Sequence, residues 1–459
     1  MYDFKSFLKR LSASLPNENI LTDSAECVAY SYDNSRHQHL PECVVFATDA
    51  KQITVLLNLC NQYSIPITPR GRGTGTTGAA IPLKGGVLLS LERMNKITQI
   101  DSDNRVLIAE PGVTNEAVQQ AAKKHGFFWA PDPSSSAYCT IGGNLACNAA
   151  GPHAIKYGTT RENTLGLSAI TGAGDFIKTG VYTTKGVVGY DFTRLLIGSE
   201  GTLGIITEAI LKLTPLPESS ITLQVFFNDL TTASRAISSI MGQSITPSAL
   251  EFVDSKALAM ISDYAKVTFP INAKAMLIIE IDGLQSILSE ATKKITDLLK
   301  QFDVLNLEIT NTPEATKKIW QTRKALSPAL RTIAPNKINE DIVVPVSNIP
   351  QFINGVENLS KKYEITIVNF GHAGNGNIHV NLLFDAHDAK QNTNAKNCLD
   401  EIFTLVLNLK GTLSGEHGIG IEKQFFVSRE MNPATLKLMQ QIKKQFDPNN
   451  ILNPGKIPM

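Results

Sequence analysis

The feature that most constrains this chain is a glycine-rich loop that follows a predicted strand but does not lead into a helix. Gly73-Thr-Gly75-Thr-Thr-Gly78 matches the G-x-G-x-x-G pattern of dinucleotide-binding loops, directly after a predicted strand at 65–69. In a doubly wound dinucleotide fold, an amphipathic helix begins at the third glycine. Here Ala79-Ala-Ile-Pro-Leu-Lys-Gly-Gly86 follows, and its proline and two glycines exclude a stable helix. We therefore expect the loop to bind an anion with its own backbone N–H groups; a turn without a ligand is the alternative.

The length and the pattern of the chain predict two α+β domains. With 459 residues the chain is longer than one hydrophobic core usually supports. Residues 41–217 alternate short β-branched strands with helices and glycine-rich turns. Leu213-Thr-Pro-Leu-Pro-Glu-Ser-Ser220 has the composition of a domain boundary. Beyond it, strands and helices alternate in the way expected of an antiparallel sheet with helices on one face.

Composition and charge exclude several classes of protein. A formal net charge of +1 argues against nucleic acid as the main partner. No apolar run approaches the length of a transmembrane helix, about 20 residues. The cysteines form no CxxC pair, which excludes the usual spacing of an iron–sulfur or structural zinc site and indicates reduced thiols in a cytoplasmic protein. They are Cys27, Cys43, Cys60, Cys139, Cys147 and Cys398.

The first residues of the chain predict an amphipathic helix. Phe4, Phe7, Leu8 and Leu11 recur at helical spacing beside lysines and an arginine. We interpret this segment as a helix docked on the fold. Peripheral contact with a membrane is the alternative, since short basic amphipathic segments bind membrane surfaces.

Two histidines near the end of the chain predict a metal site on a hairpin. In Asn369-Phe-Gly-His-Ala-Gly-Asn-Gly-Asn-Ile-His-Val380, Asn375-Gly376 is the preferred dipeptide of a two-residue type I′ turn. That turn would place His372 directly opposite His379, with Cβ atoms about 5 Å apart, so that both imidazoles reach one ion. The alternative is a polar hairpin with two structural histidines.

A second motif, Gly415-Glu-His-Gly-Ile-Gly420, adds the groups that such a site needs for chemistry. The carboxylate of Glu416 would complete a site of two histidines and one carboxylate with open positions for a substrate. Glu416 and His417 are adjacent and point in different directions, so one can bind the metal while the other faces a reactant. A third histidine of this kind suits a general base near neutral pH.

The glycine loop, extended to Pro69-Arg-Gly-Arg-Gly-Thr-Gly-Thr-Thr-Gly78, resembles the pyrophosphate loop of the vanillyl-alcohol-oxidase/PCMH flavoprotein family. Segments at 132–136, 140–144, 148–151, 157–158, 198–206 and 453–456 agree in order and spacing, so the likeness covers nearly the whole chain. The resemblance implies that these segments line FAD. No histidine occurs between Pro69 and Gly78, which predicts that the FAD is bound non-covalently. The implied cofactor-binding residues are Pro69, Arg70, Gly71, Arg72, Gly73, Thr74, Gly75, Thr76, Gly78, Pro133, Ser134, Ser135, Thr140, Gly142, Gly143, Asn144, Asn148, Gly151, Tyr157, Gly158, Glu200, Gly201, Gly204, Ile205, Ile206 and Asn453.

The two C-terminal motifs together resemble those of the group that contains D-lactate dehydrogenase (cytochrome), the glycolate oxidase large subunit and D-2-hydroxyglutarate dehydrogenase. The resemblance implies that His372, His379 and Glu416 bind zinc or a similar divalent ion and that His417 is the base. Arg323 corresponds to the arginine that holds the substrate carboxylate, and a solvated helix-face arginine is the alternative. Asn377, on the same hairpin face as His379, is a candidate second contact to the substrate.

The resemblance also implies a reaction. The metal would bind the carboxylate and the 2-hydroxyl of a D-2-hydroxy acid, His417 would remove the hydroxyl proton, and the C2 hydride would move to flavin N5. Members of the group that act on 2-hydroxyglutarate carry a lysine two residues before the Asp of an Asp-x-x-x-Pro strand. Here that Asp is Asp341 and the position holds Asn339, with Lys337 two residues further away. D-lactate is therefore favoured, and glycolate and 2-hydroxyglutarate remain alternatives.

The resemblance implies an α+β fold. A PCMH-type FAD-binding domain of two α+β subdomains (1–215) precedes an α+β substrate (cap) domain with an antiparallel sheet (216–425), and a C-terminal segment (426–459) returns to the FAD domain. The electron acceptor, whether a quinone, a cytochrome or an electron-transfer flavoprotein, is not encoded in any motif. A cytoplasmic location or a peripheral one at the inner membrane, a homodimer, and a non-catalytic flavin subunit of a redox complex all stay open.

Overall fold

The computed structural model describes residues 3–456, which divide into two compact units. Unit 1 comprises residues 3–150, Gly158–Leu216 and 416–456, and unit 2 comprises Gly151–Tyr157 and Pro217–Gly415. The first domain was predicted to end at residue 215, and the segment of unit 1 that begins at Gly158 ends at Leu216. Unit 1 resumes at Glu416 rather than at residue 426, and the short segment Gly151–Tyr157 belongs to unit 2, which the sequence did not predict.

The helices are numbered in chain order. They are α1 (Phe4–Ser14), α2 (Ser24–Cys27), α3 (Ala50–Tyr63), α4 (Asn115–Lys123), α5 (Ile141–Cys147), α6 (Ala154–Tyr157), α7 (Phe192–Leu196), α8 (Leu230–Met241), α9 (Ser255–Ala265), α10 (Gln285–Leu299), α11 (Pro313–Ala329), α12 (Ile349–Tyr363), α13 (Ala389–Asn408), α14 (Val427–Glu430) and α15 (Pro433–Phe446).

The strands are numbered in the same way. They are β1 (Ile20–Leu21), β2 (Cys43–Phe46), β3 (Ile67–Arg70), β4 (Val87–Ser90), β5 (Ile97–Asp101), β6 (Val106–Ala109), β7 (Phe127–Phe128), β8 (Thr164–Thr171), β9 (Phe176–Gly180), β10 (Gly204–Lys212), β11 (Thr214–Pro215), β12 (Ser219–Phe227), β13 (Ala249–Asp254), β14 (Ala275–Gly283), β15 (Val304–Thr310), β16 (Asn336–Val343), β17 (Thr366–Gly371) and β18 (Asn377–Phe384).

Unit 1 contains two main sheets, which confirms the prediction of two α+β subdomains. The first has the order β1-β2-β4-β3, in which β4 pairs in parallel with both β2 and β3. The second has the order β5-β6-β10-β8-β9, and its pairs are antiparallel. The strands of the parallel core, such as β2 and β4, are buried at every residue, as strands covered on both faces must be.

The N-terminal helix packs against α3 through the face that the sequence predicted. Phe7 and Leu11 of α1 are fully buried in one core cluster with Leu56 and Cys60 of α3, and Phe4 and Leu8 pack against that cluster. The apolar stripe of α1 is therefore used inside the fold. Among the described residues, no helix combines the length and the apolar character that a passage through a lipid bilayer would need.

Unit 2 is built on one large antiparallel sheet with the order β15-β12-β14-β13-β17-β18-β16, which confirms the predicted antiparallel sheet. Its central strands are long and almost entirely buried; β13 and β18 are buried at every residue. An antiparallel sheet of this kind holds side chains on neighbouring strands in fixed register. It is therefore a rigid support for any group that its inner residues carry.

The predicted turn and register of the histidine hairpin were wrong. Residues Ala373–Asn375 form a 3-10 turn, and Phe370, not His372, lies opposite His379. The amide nitrogens of Asn375 and Asn377 both donate to the carbonyl oxygen of His372, at 3.1 and 3.2 Å. Packing explains the wider turn, because Gly374 is buried so tightly that a Cβ would lie 1.9 Å from Cδ1 of Ile155. Tertiary contacts thus overrode the local preference of Asn375-Gly376 for a two-residue turn.

Candidate active site

The glycine loop leaves β3 at Arg70 and folds back over the arginine side chain. A Cβ on Gly73, whose φ is +64°, would lie 2.2 Å from Nη2 of Arg70, so only glycine allows this close approach. A Cβ on Gly75 would meet nothing within 4 Å. The guanidinium of Arg70 is 7% exposed, and burial lowers its pKa. The loop therefore presents a buried cation and an open backbone side by side.

Other predicted cofactor-binding segments of unit 1 converge on this loop. A Cβ on Gly71 would lie 2.4 Å from Oγ1 of Thr140, the N-cap of α5, and a Cβ on Gly201 would lie 2.6 Å from Cγ of Pro69. Asn453 donates its side-chain amide to the carbonyl oxygens of Ala79, at 3.0 Å, and Glu200, at 2.8 Å. Segments that are far apart in sequence thus lie together around residues 69–79. We call this group of segments the cofactor cradle.

Four of the predicted cofactor-binding residues have a buried polar atom without a hydrogen-bond partner among the described residues. These atoms are Nη1 of Arg70, Oγ1 of Thr76, Nδ2 of Asn144 and Oδ1 of Asn453. Leaving a buried polar group unsatisfied costs about 1–3 kcal/mol, so folded proteins rarely do it without a function. A bound phosphate-containing cofactor with polar ring edges would satisfy such donors and acceptors. The residues of unit 1 therefore fit FAD.

The remaining predicted cofactor-binding residues lie in four places. Arg72 and Thr74 lie in the glycine loop between β3 and β4, together with Gly78. Pro133, Ser134 and Ser135 form the turn before α5, Gly142 and Gly143 lie within α5, and Asn148 ends it in the left-handed conformation. Gly204, Ile205 and Ile206 begin β10. Gly151 and Tyr157 fall in the segment that belongs to unit 2, with Gly158 directly after it.

Tyr157 has a partner that the sequence did not suggest. Its hydroxyl donates to Oδ2 of Asp282 on β14, at 2.8 Å, and the ammonium of Lys156 pairs with Oδ1 of the same carboxylate. His153 of the same segment lies 3.0 Å from Oε1 of Glu280. These polar contacts explain why Gly151–Tyr157 is part of unit 2.

Glu200 is one of the predicted cofactor-binding residues, and its carboxylate holds the loop that carries His417. It accepts hydrogen bonds from the backbone N–H groups of Ile419 and, at 2.8 Å, of Gly420. A Cβ on Gly418, whose φ is +86°, would lie 2.2 Å from Oε1 of Glu200. Burial raises the pKa of Glu200, while the two amide donors and nearby lysines act in the opposite direction. Glu200 is thus a clamp on residues 418–420.

Thr77 of the glycine loop holds the other side of the same segment. Its hydroxyl donates to the carbonyl oxygen of His417 at 3.3 Å, and its own carbonyl accepts from the N–H of Ile421 at 2.8 Å. A Cβ on Gly420 would lie 2.1 Å from that carbonyl oxygen. The glycines around His417 are therefore needed for close packing of two loops, and the backbone of His417 is fixed beside the cofactor cradle.

Lys456 carries a positive charge in the interior of unit 1. The side chain is fully buried, and its ammonium donates to the carbonyl oxygens of Gly78, at 3.0 Å, and Ile81. Burial lowers the pKa of Lys456 to about 8, against the opposing effect of Asp33 and Glu200. Lys456 thus ties the C-terminal segment to the end of the glycine loop and adds a cation behind it.

In unit 2, His372 and His379 lie side by side even though their backbones are not opposite one another. The ring centroids are 5.2 Å apart and the rings are nearly perpendicular, at 86°. Nδ1 of His372 lies 2.6 Å from Oε1 of Glu251, a fully buried residue of β13. This contact assigns the proton to Nδ1 and leaves Nε2 of His372 as the atom that can bind a metal.

Arg323 is not a solvated helix-face arginine. It lies on α11 with its side chain 11% exposed, and its Nε and Nη2 lie 2.7 and 2.6 Å from Oε2 of Glu251. Its guanidinium also lies over the ring of Phe370, 4.9 Å from the centroid. Nη1 has no bond to another described residue, so it can donate to a carboxylate. Arg323 and His372 are therefore held next to each other by one carboxylate.

Asp341 binds the backbone of Gly415, which is the last residue of unit 2 and directly precedes Glu416. Asp341, a fully buried residue of β16, lies opposite His379 in the sheet and accepts hydrogen bonds from the N–H of Gly415, at 2.8 Å to its carbonyl and 2.9 Å to Oδ2. Glu416 is the next residue along the chain. One ligand atom from each of His372, His379 and Glu416 lies within 4.8 Å of the others. An ion with bonds of about 2.1 Å separates tetrahedral ligands by about 3.4 Å, so small side-chain movements would suffice.

Asn377 and Asn381 flank His379 on one face of β18, and Asn339 of β16 lies opposite Asn381. Asn377 is buried and donates to the carbonyl oxygen of Ile342 at 3.0 Å. Asn339 donates its Nδ2 to Oδ1 of Asn381 at 2.8 Å. Because Nδ2 of Asn381 donates to the carbonyls of Val368 and His379, its orientation is fixed, and with it that of Asn339. Oδ1 of Asn339 is left buried without a partner among the described residues.

Sequence reasoning missed Glu251 as a residue of this site. The available signal was a single acidic residue inside the apolar strand Ala249-Leu-Glu-Phe-Val253. A carboxylate at the centre of a buried strand must have cationic or hydrogen-bonding partners. Burial alone would raise the pKa of Glu251, but the hydrogen bonds from His372 and Arg323 and the charge of the Arg323 guanidinium lower it, so the residue is an anion. The sequence could not identify the two partners, which are 72 and 121 residues away.

Comparison with family models gives two matches. Residues 216–457 match the model described as FAD linked oxidases, C-terminal domain, and residues 41–180 match the one described as FAD binding domain. The first match includes nearly all of unit 2, and the second lies mainly in unit 1.

Characterised relatives match over nearly their full length. The chain is 38% identical to glycolate oxidase subunit GlcD of Bacillus subtilis (strain 168), covering 96% of this chain and 94% of the relative. It is 33% identical to D-lactate dehydrogenase of Anaerostipes hadrus, covering 91% and 89%. It is 30% identical to D-2-hydroxyglutarate dehydrogenase of Stutzerimonas stutzeri (strain A1501), covering 95% and 96%.

Among solved structures, p-cresol methylhydroxylase with substrate bound shares the fold. The TM-score is 0.81 over 99% of this chain and 97% of that one, with 21% sequence identity. At that identity the likeness shows the architecture alone.

Proposed function

Because the chain belongs to the family of FAD-linked oxidases, we propose that it oxidises a D-2-hydroxy acid, D-lactate in the first place, to the 2-oxo acid. The proposal includes non-covalently bound FAD and a divalent metal, zinc being the first candidate. The observation that carries it is the clustering of ligand atoms of His372, His379 and Glu416 within 4.8 Å of one another. The relatives named as acting on glycolate, D-lactate and D-2-hydroxyglutarate support the substrate class.

FAD and the divalent ion would each supply one part of the chemistry. FAD, when bound, would be a two-electron acceptor for the hydride of the substrate C2 carbon. A divalent ion held by His372, His379 and Glu416 would polarise the substrate hydroxyl and lower its pKa. Two histidines and one carboxylate are a common ligand set for zinc and leave positions for a substrate.

The protein supplies the groups that hold and deprotonate the substrate. We assign the substrate carboxylate to Arg323, whose Nη1 is available and whose other nitrogens are fixed on Glu251. Asn377 is the candidate for a second polar contact. His417 is the proposed base, and its support is the clamping of its loop by Thr77 and Glu200. A positioned base typically contributes about 10²–10⁴-fold to the rate.

The preference for D-lactate over 2-hydroxyglutarate rests on Asn339. Its carbonyl oxygen Oδ1 is buried and without a partner, and its amide nitrogen is engaged by Asn381. A buried carbonyl oxygen repels a second carboxylate, whereas a lysine at this position would attract it. A short monocarboxylate avoids that contact, so D-lactate and glycolate remain suitable and 2-hydroxyglutarate is disfavoured.

The reduced flavin must transfer its electrons to an external acceptor. We propose a quinone, a cytochrome or an electron-transfer flavoprotein, since the cysteine spacing suits no iron–sulfur cluster of this chain's own. We include in this proposal a cytoplasmic location, peripheral contact with a membrane and assembly as a homodimer.

Anaerobic stopped-flow reduction of the flavin by a panel of acids tests the proposed function. D-lactate and glycolate should bleach the flavin faster than D-2-hydroxyglutarate, and L-lactate should be slow. If D-2-hydroxyglutarate is by far the fastest, the argument from Asn339 is wrong. If none of the 2-hydroxy acids reduces the flavin, the proposed function is wrong.

A further inference from the structure

Glu251 contacts two residues of the proposed site in unit 2. It lies on β13 and is fully buried, and its two oxygens accept from two different elements. Oε1 meets Nδ1 of His372 in the turn after β17, and Oε2 meets Nε and Nη2 of Arg323 on α11. One side chain thus contacts both a proposed metal ligand and the proposed substrate arginine.

We propose that Glu251 is a positioning residue that sets the metal-binding tautomer of His372 and the direction of the Arg323 guanidinium at the same time. This inference rests on the proposed function, because it assigns roles to residues of that site. Glu251 would touch neither the metal nor the substrate. It would act through the two side chains that do.

Glu251 holds the proton of His372 on Nδ1. A neutral imidazole has one N–H, and a metal binds the nitrogen that has none. The carboxylate oxygen at 2.6 Å from Nδ1 can only accept, so the proton stays on Nδ1 and Nε2 keeps its lone pair. Carboxylates that hold metal-bound histidines in this way raise the basicity of the ligand and fix the plane of its ring.

Arg323 is the second side chain that Glu251 holds. Its side chain is 11% exposed, so its charge is largely removed from water and needs an anion nearby. Glu251 engages Nε and Nη2 on one edge of the guanidinium and directs Nη1 away from that edge. The ring of Phe370 beneath the guanidinium limits its rotation further. The substrate carboxylate would then meet a fork whose orientation is already set.

The need for a carboxylate rather than an amide makes the inference testable. Glu251 accepts on both oxygens, but a glutamine has a single acceptor oxygen and an NH₂ group that donates. If the amide oxygen faces Arg323, the NH₂ group faces His372 and favours the tautomer with its proton on Nε2, which cannot bind the metal. If the amide turns over, the NH₂ group faces the guanidinium. Either arrangement damages one of the two functions.

The test is Glu251→Gln in the full-length FAD-loaded protein. Metal affinity is measured with zinc against a chromophoric chelator, and kcat and KM are measured for D-lactate. Disturbing such supporting partners typically lowers metal affinity about 10–100-fold. We expect a loss of that size, a raised KM for D-lactate, and an unchanged ratio of FAD to protein. Wild-type zinc affinity together with wild-type KM would overturn the inference.

Two further variants separate positioning from simple loss of stability. Asp254→Asn removes another fully buried carboxylate of β13, one that contacts Asn369 and the start of α9 but neither His372 nor Arg323. It should keep wild-type zinc affinity even if it lowers the melting temperature. Glu251→Asp keeps the acceptor chemistry and should bind zinc more tightly than Glu251→Gln, and it replaces that variant if the glutamine protein does not fold. Equal losses in both Glu251 variants would overturn the role of the carboxylate.

A double variant tests the route through His372. In a protein that already carries His372→Ala, adding Glu251→Gln should cause no further loss of zinc affinity, and an additional loss of the full size would contradict the route. The wild-type protein distinguishes the two levels of failure. If it binds no divalent metal and oxidises no 2-hydroxy acid, the proposed function fails. If it does both and Glu251→Gln behaves like wild type, only the inference about Glu251 fails.

Discussion

The two units build their sites from different parts of the polypeptide. In unit 1 the cofactor cradle is formed by the backbone, with glycines that let Arg70 and Thr140 approach the loop closely. In unit 2 the site is formed by side chains such as those of His372, His379 and Arg323, and the buried carboxylate of Glu251 holds two of them. A site that is formed by backbone should be sensitive to atoms added at its glycines. A site that is formed by side chains should be sensitive to the loss of a charge or of a ligand atom.

The largest expected effect is the removal of a metal ligand in unit 2. His379→Ala should abolish detectable turnover of D-lactate, because two ligands cannot hold the ion in the geometry that activates the hydroxyl. FAD content should stay at the wild-type ratio, since the residues that fit FAD lie in unit 1. Flavin absorbance, zinc content and steady-state rate measured on one sample check this prediction. Loss of FAD in this variant would show that the two sites are not built independently.

A loss nearly as large is expected for His417→Ala. The rate should fall by about 10²–10⁴-fold, the contribution usual for a general base. Zinc and FAD should both remain, because the carbonyl of His417, not its side chain, is bonded to Thr77. Single-turnover flavin reduction over a pH series checks the result. A variant that turns over at the wild-type rate would remove His417 from the mechanism.

A pair of glycine variants tests the backbone character of the unit 1 site. Gly73→Ala places a Cβ against the Arg70 guanidinium at a positive φ, which costs about 1–2 kcal/mol in the backbone alone, so both stability and FAD affinity should fall. Gly75→Ala adds a methyl group where nothing lies within 4 Å, so the stability of the FAD-free protein should be unchanged. If FAD occupies that space, Gly75→Ala should still weaken FAD binding. Fluorescence titration of FAD-free protein and thermal melts measure both quantities, and unchanged FAD affinity in both variants would contradict the cradle.

A smaller effect is expected for Glu200→Gln, which weakens the clamp on the loop of His417. A carboxylate accepts from the amides of Ile419 and Gly420 on separate oxygens, and glutamine can accept on one only. Hydrogen bonds to charged groups contribute about 1.5–3 kcal/mol, and 1.4 kcal/mol corresponds to tenfold in rate. We expect kcat for D-lactate to fall by about tenfold with little change in KM. A changed KM with unchanged kcat would mean that the loop does not position the base.

The stability of unit 2 should also depend on pH. In unit 2, burial raises the pKa of Asp254 from 3.8 to about 6. Between these values the folded state holds a proton that the unfolded chain has lost, so the free energy of unfolding falls as pH rises from about 4 to 6. The change is at most about 3 kcal/mol. Urea unfolding at several pH values, compared with Asp254→Asn, measures it. The variant cannot ionise, so its curve should be flatter in this window, and an identical slope would contradict the assignment.

The sequence predicted the conformation of the glycine loop better than that of the histidine hairpin, for a physical reason. The glycine loop is one continuous segment whose conformation depends on local backbone freedom, so its lack of a following helix could be inferred from Pro82, Gly85 and Gly86. The hairpin depends on how Gly374 packs against Ile155, a residue 219 positions earlier in the chain, and no local rule contains that contact. The pairing of His372 with His379 was predicted from an incorrect register, although the two rings do lie together.

Two other residues have partners that the local sequence could not predict. Glu200 lies in the predicted cofactor segment, but its carboxylate bonds to the backbone more than 200 residues away. Tyr157 lies in another such segment, and its hydroxyl bonds to Asp282 in the sheet of unit 2. In both cases the motif marked an important position, while the partner of the side chain depended on tertiary structure.

The most direct test of the account is flavin reduction by D-lactate with and without metal. Purified protein is mixed anaerobically with D-lactate while the flavin absorbance is followed, first as isolated, then after treatment with a chelator, then after zinc is restored. We predict rapid bleaching, then bleaching slowed to near zero with FAD still bound, then recovery. Bleaching at the same rate after the metal has been removed would contradict the central claim that His372, His379 and Glu416 activate the substrate through a metal.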